Sequence, residues 1–176
     1  MMLYLLDANV LITANNTYYA IDQVPEFWEW IRDQGVNGRI KVPLEIIEEI
    51  QKGRKRKEEK EDPLVEWIRD ADNHSALLLN EECDPASLQH VIDKGYASDL
   101  TEDEIEQLGR DPFLVAYAMA GDKTGDKRCV VTTEISKPSR KRQNRHLPDV
   151  CRALSVQCCN TFALTRALEF RTSWKS

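Results

Sequence analysis

The sequence predicts an α/β sandwich built on a mostly parallel sheet, and three features carry that reading. Short apolar runs alternate with segments of helical periodicity along the whole chain. The first run, Leu3 to Leu6, is continuously apolar, as in a central parallel strand covered on both faces. A later segment, Phe113 to Ala120, is apolar almost all round and must be a buried helix. At 176 residues the chain has the length of one domain, 1–176.

Asp7 ends the first strand, which places a charge where parallel α/β sheets gather ligands, outside the carboxyl ends of their strands. Pro25 opens a helix with Phe27, Trp28, Trp30 and Ile31 at helical spacing, closed by Gly35 and Gly38. Arg39 to Val42 is a second strand. Pro43 suits the first turn of the next helix, whose apolar stripe is Leu44, Ile46, Ile47 and Ile50, with Glu49 near its end. Asp62 to Asp70 reads as a further helix with Leu64, Trp67 and Ile68 inward. Between residues 72 and 98 the pattern is weaker, with a helix over Pro85 to Lys94 ended by Gly95.

Thr101 and Glu104 form a T-x-x-E capping box, so a helix starts at residue 102. Asp111 stands directly before Pro112, the combination of an N-cap followed by proline at the first helical position. Cys129 to Val131 is a third strand, with Thr132, Thr133 and Glu134 at its carboxyl end. Pro148 opens a short helix, Ser155 to Cys158 is a last strand, and Thr161 to Phe170 a terminal helix.

Hydrophobic residues at 41% and charged residues at 31% give a core and a solvated surface, which excludes a disordered chain. The run from Met1 to Leu6 is cut by Asp7 and lacks the flanks of a secretion signal, and nothing approaches the roughly 18 apolar residues of a membrane span. The expectation is a soluble cytoplasmic protein. Cys83, Cys129, Cys151, Cys158 and Cys159 show neither a disulfide framework nor the paired spacing of structural zinc, so His146, Cys151 and Cys158 are not read as a metal site.

The net charge of −6 argues against nonspecific nucleic-acid binding by the whole surface. Positive charge is instead concentrated in two stretches. Lys52, Arg54, Lys55, Arg56, Lys57 and Lys60 form one; Lys137, Arg140, Lys141, Arg142 and Arg145 form the other. Each is a candidate phosphate-binding segment, as well as an ordinary solvated loop.

Three acids recur at element ends, Asp7, Asp111 and Glu134, and a fourth, Glu49, lies on a helix. Gathering carboxylates costs Coulomb repulsion unless a cation compensates, and an all-oxygen set selects a hard ion such as Mg²⁺ or Mn²⁺.

The segment L-L-D-A-N-V-L-I, Leu5 to Ile12, resembles the opening motif of the PIN-domain nucleases, with Asp7 and Asn9 at the matching positions. V-P-L-E-I-I-E-E-I is similar to the helix that carries that family's second acid, with Glu49 in place and Glu45 and Glu48 as competitors. R-D-P-F-L-V-A-Y-A-M-A resembles the buried helix opened by the third acid, Asp111. V-V-T-T-E matches the fourth position, with Glu134 where the family usually has aspartate. The likeness is closest to a PIN-like subgroup catalogued as a domain of unknown function, in which an L-P-D-V-C-like segment, here Leu147 to Cys151, precedes the final strand.

The resemblance implies a three-layer sandwich, a mostly parallel central sheet flanked by helices, and metal-dependent RNA hydrolysis. Asp7, Glu49 and Asp111 would hold Mg²⁺ or Mn²⁺, Glu134 would complete the site, and Asn9 and Thr132 would support it by hydrogen bonds. Asp149 is a possible extra ligand, though a helix-start acid is the plainer reading. It also implies a toxin silenced by an antitoxin partner, and a possible homodimer. Two rivals stand beside it. One is a PIN-like fold with a degenerate site that serves as a protein-binding module. The other is a haloacid-dehalogenase-type phosphatase, suggested by Asp7 after a strand and by G-D-K-T-G-D from Gly121 to Asp126.

Overall fold

Met2–Leu6 forms the strand β1, and its apolar side chains are covered on both faces, Leu5 and Leu6 completely. In the computed structural model, which describes residues 1–52 and 62–175, β1 lies near the middle of a four-stranded sheet. The other strands are β2 (Ile40–Lys41), β3 (Lys127–Val131) and β4 (Gln157–Cys159). The order is β2-β1-β3-β4 and every pairing is parallel. Arg54, Lys55, Arg56, Lys57 and Lys60 lie outside the described residues.

Parallel pairing demands crossovers, and the described helices supply them on both faces of the sheet. Between β1 and β2 run α1 (Ala8–Thr13), a wider π turn (Ala14–Tyr18) and α2 (Pro25–Val36). Between β2 and β3 come α3 (Leu44–Lys52), α4 (Pro63–Arg69), α5 (Ala71–Leu77), α6 (Pro85–Val91), α7 (Glu102–Gln107) and α8 (Asp111–Thr124). Next, α9 (Leu147–Ala153) joins β3 to β4, and α10 (Thr161–Ala167) follows. The result is a three-layer α/β sandwich.

The core joins β1 and β3 to the aromatic face of α2, where Phe27, Trp28, Trp30 and Ile31 are all buried. Tyr19 stacks on Phe27 at 4.3 Å between ring centroids, and its carbonyl accepts the Trp28 indole N–H at 2.6 Å. On the other side α8 buries Leu114 through Ala118. No helix among the described residues is long and apolar enough to cross a membrane.

The last strand runs Gln157–Cys159 instead of Ser155 to Cys158, the terminal helix ends at Ala167 instead of Phe170, and three further readings change with the packing. Asp111 is not the N-cap of α8: Arg110 holds that place, without a side-chain bond, and Asp111 is the first helical residue. Gly95 does not end α6; the chain continues through a π turn, Ile92–Tyr96, and a Cβ at Gly95 would stand 2.8 Å from Val150. Gly35 lies inside α2, where a Cβ would stand 2.8 Å from the Ala76 carbonyl, so its role is close helix packing. In the weakly patterned region, Leu78 pairs in parallel with Val42 and prolongs the β2 edge.

Candidate carboxylate site

The connections from β1 and from β3 leave in opposite directions, toward β2 and toward β4. Adjacent parallel strands that diverge in this way open a crevice at their carboxyl ends. Asp7 follows β1 and Thr132 follows β3, one step beyond the Leu6–Val131 pair. The Asp7 N–H donates to the Val131 carbonyl at 2.9 Å, and the Thr132 hydroxyl donates to Asp7 Oδ2 at 2.9 Å. The same hydroxyl oxygen accepts the Glu134 N–H at 3.1 Å. One threonine thus ties the ends of both central strands together.

Asp7 is only 2% exposed. Burial pushes its carboxyl up to about 6; the Thr132 hydroxyl opposes this, Glu134 and Glu49 push further up, and the Asn9 backbone N–H pulls weakly down. Asp111, half-buried at the start of α8, is raised well above the carboxylate range by burial and then by Asp7, Glu134 and Glu49. Glu49 is exposed as a residue, yet desolvation of its carboxyl end raises it, opposed by the Arg110 guanidinium. Asp7 and Asp111 therefore each lie within electrostatic range of Glu49 and Glu134, the four acids coming from four different segments.

Among the described residues, no group of three or more His, Cys, Asp or Glu is gathered closely enough to hold an ion in this arrangement. The donor chemistry nevertheless fits a hard cation: the neighbouring groups are carboxylates, Asp7 and Asp111 raised by burial and then by the charge of other carboxylates, with Arg110 the opposing charge acting on Glu49.

The competing glutamates have other work. Glu45 accepts the Tyr117 hydroxyl at 3.1 Å, and Glu48 pairs with Lys52 at 3.5 Å, so neither the Lys52 ammonium nor Tyr117 engages Glu49. Glu134 is half-buried, and its Oε2 accepts the Leu147 N–H at 2.7 Å, which satisfies a backbone donor at the start of α9. Asp149, in the first turn of α9, is 5% exposed and is engaged by the residues before that helix rather than by the cluster. It accepts the Ser136 hydroxyl at 2.5 Å and the Lys137 N–H at 2.7 Å, and these bonds lower its carboxyl against the effect of burial. Asn9 is exposed in the first turn of α1; only its backbone bears on Asp7.

The basic loop divides. Arg142 pairs with Asp99 at 2.7 Å and with Glu104 at 2.7 Å, and Arg145 donates to the carbonyls of Gly95 and Asp149. Both hold the loop to the body of the fold. Arg140 and Lys141 are exposed. Gly121 to Asp126 precedes the amino end of β3, whereas Asp7 lies at the carboxyl end of its parallel neighbour, so the phosphatase arrangement is not assembled.

Two site residues escaped the sequence reading. Arg110 directly precedes Asp111 and could have been seen in R-D-P. Tyr96 could not: it is 8% exposed, its hydroxyl has no hydrogen-bond partner, and burial, then Asp111, Cys151 and Glu134, raise it well above the phenol range.

A pH dependence follows from Asp7. The folded state binds its proton up to about pH 6, and an ordinary aspartate releases it near 3.8. Stability from this group is full below about 3.8 and is lost as pH rises through about 6, on the order of 3 kcal/mol in all. In the presence of a chelator, Asp7→Asn should therefore flatten the fall in melting temperature between pH 5 and 7, measured by calorimetry; an unchanged slope would show Asp7 is not the titrating group.

No curated protein and no solved structure matches the chain. One family model, described as a domain of unknown function (DUF4411), matches residues 4–172. The match covers the chain almost from end to end, and the chain belongs to the DUF4411 family.

Proposed function

We propose that this protein is a Mg²⁺- or Mn²⁺-dependent endoribonuclease of the PIN type, acting as the toxin of a toxin–antitoxin pair. The observation that supports the chemistry is the convergence of Asp7, Glu49, Asp111 and Glu134 at the crevice between β1 and β3, where burial first, and then the charge of neighbouring carboxylates, raises Asp7 and Asp111. Such repulsion is costly in an isolated protein and is relieved by a hard cation.

Asp7, Glu49 and Asp111 would hold the ion, with Glu134 completing the set. When bound, it would supply Lewis-acid activation of a water and of the scissile phosphate. The chain's own contribution is orientation: the Thr132 hydroxyl fixes Asp7 Oδ2 and the backbone before Glu134, and burial around Asp7 and Asp111 keeps bulk water from competing for them. Hydrolysis adds water across one P–O bond, leaving a phosphate on one fragment and a hydroxyl on the other. The antitoxin partner and a homodimer belong to the same proposal.

The direct test is cleavage of single-stranded RNA by purified protein, with chelator and then with Mn²⁺ restored. Metal-dependent fragments support the reading, and their absence would leave the degenerate binding module. That second reading draws on one observation, the Glu134 carboxylate already serving the Leu147 N–H.

Substrate grip should reside in the exposed basic residues. Changing Arg140 and Lys141 together to Ala should weaken RNA binding and reduce the salt slope by about 1.4, at roughly 0.7 per phosphate contact on a single strand. Arg142 is left in place because its ion pairs hold the loop. A filter-binding series in salt decides it: an unaltered slope returns both residues to ordinary surface.

A further inference from the structure

A cleft of about 420 Å³ opens beside the carboxylates. Thr132 and Glu134 form the wall it shares with the acid cluster, and Arg152, Asn160, Cys158 and Cys159 also line it. The volume is in the range of small-molecule sites, about 300–1,000 Å³.

The cleft holds a cation that the sequence reading did not single out. Arg152, in the last turn of α9, is 69% exposed as a side chain and touches Asp149 through Nη1 alone, at 3.3 Å. Its guanidinium makes no other hydrogen bond among the described residues, and a guanidinium has five donors. Asp149 is itself anchored by the Ser136 hydroxyl and the Lys137 N–H, so Arg152 is steadied by a buried, fixed carboxylate. Asn160 spends its Oδ1 on the Ala163 N–H and leaves its amide NH₂ as a donor. Pro148 and Val156 add apolar surface.

These groups suit one nucleotide: a cation for its phosphate, an amide donor for a base or sugar edge, and apolar walls for its faces. We infer that the cleft is the subsite for the nucleotide adjoining the scissile phosphate, with Arg152 binding that nucleotide's phosphate. The inference rests on the nuclease reading. It gives Asp149 a role other than metal ligation, as the residue that positions Arg152.

Cys158 and Cys159 are half-buried in the cleft, and Cys83, also half-buried, is not among its lining residues. The experiment is maleimide alkylation of the whole protein, read by peptide mass spectrometry, with a non-cleavable 2′-O-methyl oligoribonucleotide present or absent. The oligonucleotide should slow modification of Cys158 and Cys159 and leave Cys83 unaffected. Inorganic phosphate at the same concentration should protect neither, because it lacks the base and sugar; equal protection by phosphate would overturn the nucleotide subsite in favour of a simple anion site. Arg152→Ala should remove the protection and weaken oligonucleotide binding about tenfold, the scale of a charge-assisted hydrogen bond. It should leave the Mn²⁺-induced rise in melting temperature in place. Binding of the oligonucleotide with both thiols unprotected, or unchanged affinity in Arg152→Ala, would overturn the subsite while metal-dependent cleavage still stood. Protection that persists in a protein without metal-dependent cleavage would overturn the nuclease reading and support the cleft as a nucleotide site.

Discussion

Asp7→Asn is expected to abolish both Mn²⁺-dependent RNA cleavage and the metal-induced rise in melting temperature. Residues that merely orient a metal ligand commonly cost 10- to 100-fold when changed, so loss of a direct ligand should exceed about 100-fold. In the wild type, an ion at a hundredfold its dissociation constant stabilises the fold by about 2.7 kcal/mol, or roughly 5–10 °C for a chain of this size. The substitution should not damage the fold. Asparagine retains an oxygen to accept the Thr132 hydroxyl, and it removes a charge that burial, Glu134 and Glu49 already disfavour. The melting temperature in chelator should therefore equal or exceed the wild-type value at neutral pH. Scanning calorimetry with and without millimolar Mn²⁺, beside an RNA cleavage assay, reads both effects. Cleavage by the variant at the wild-type rate would remove Asp7 from the chemistry.

Much of the fold was legible because its strongest signals are local. The continuous run Leu3 to Leu6 forms β1, the capping box at Thr101 and Glu104 forms as read, and Pro25, Pro63, Pro85 and Pro148 each lie in the first turn of a helix. What failed was decided by tertiary packing. Gly95 looks like a helix terminator, but packing of Val150 against it lets the chain run on to Tyr96, beside the acids. Asp149 looked like a possible ligand because acids at helix starts and acids at metal sites are indistinguishable by spacing; only the Ser136 and Lys137 bonds separate them. Likewise Arg142 and Arg145 read as free cations until Asp99, Glu104 and two carbonyls are seen to hold them. The four acids were picked out one by one, yet their proximity depends on the order β2-β1-β3-β4, which brings the ends of β1 and β3 together across 125 residues of chain.

Asp111→Asn should give a folded protein without metal-dependent cleavage, and the corrected position of Asp111 sharpens the expectation. Were it the N-cap, its replacement would test a backbone hydrogen bond as well as a charge. Arg110 occupies that position without a side-chain bond, so asparagine at the first helical residue forfeits no cap. It forfeits the attraction of one negative charge to the helix amino end, about 0.3–1 kcal/mol. Against this, the substitution removes a carboxylate that burial, Asp7, Glu134 and Glu49 together hold well above its ordinary range. The second effect opposes the first, and burial is its leading cause. The variant in chelator should melt at or above the wild type at pH 7.5, with a smaller difference between pH 5 and 7.5, because a group that gains protons on folding has been deleted. Cleavage in Mn²⁺ should fall by more than about 100-fold, since a neutral amide does not replace a carboxylate toward a hard ion. Near-wild-type cleavage would show that Asp111 only shapes the site, and a melting temperature well below wild type in chelator would show that its charge stabilises the fold instead of straining it.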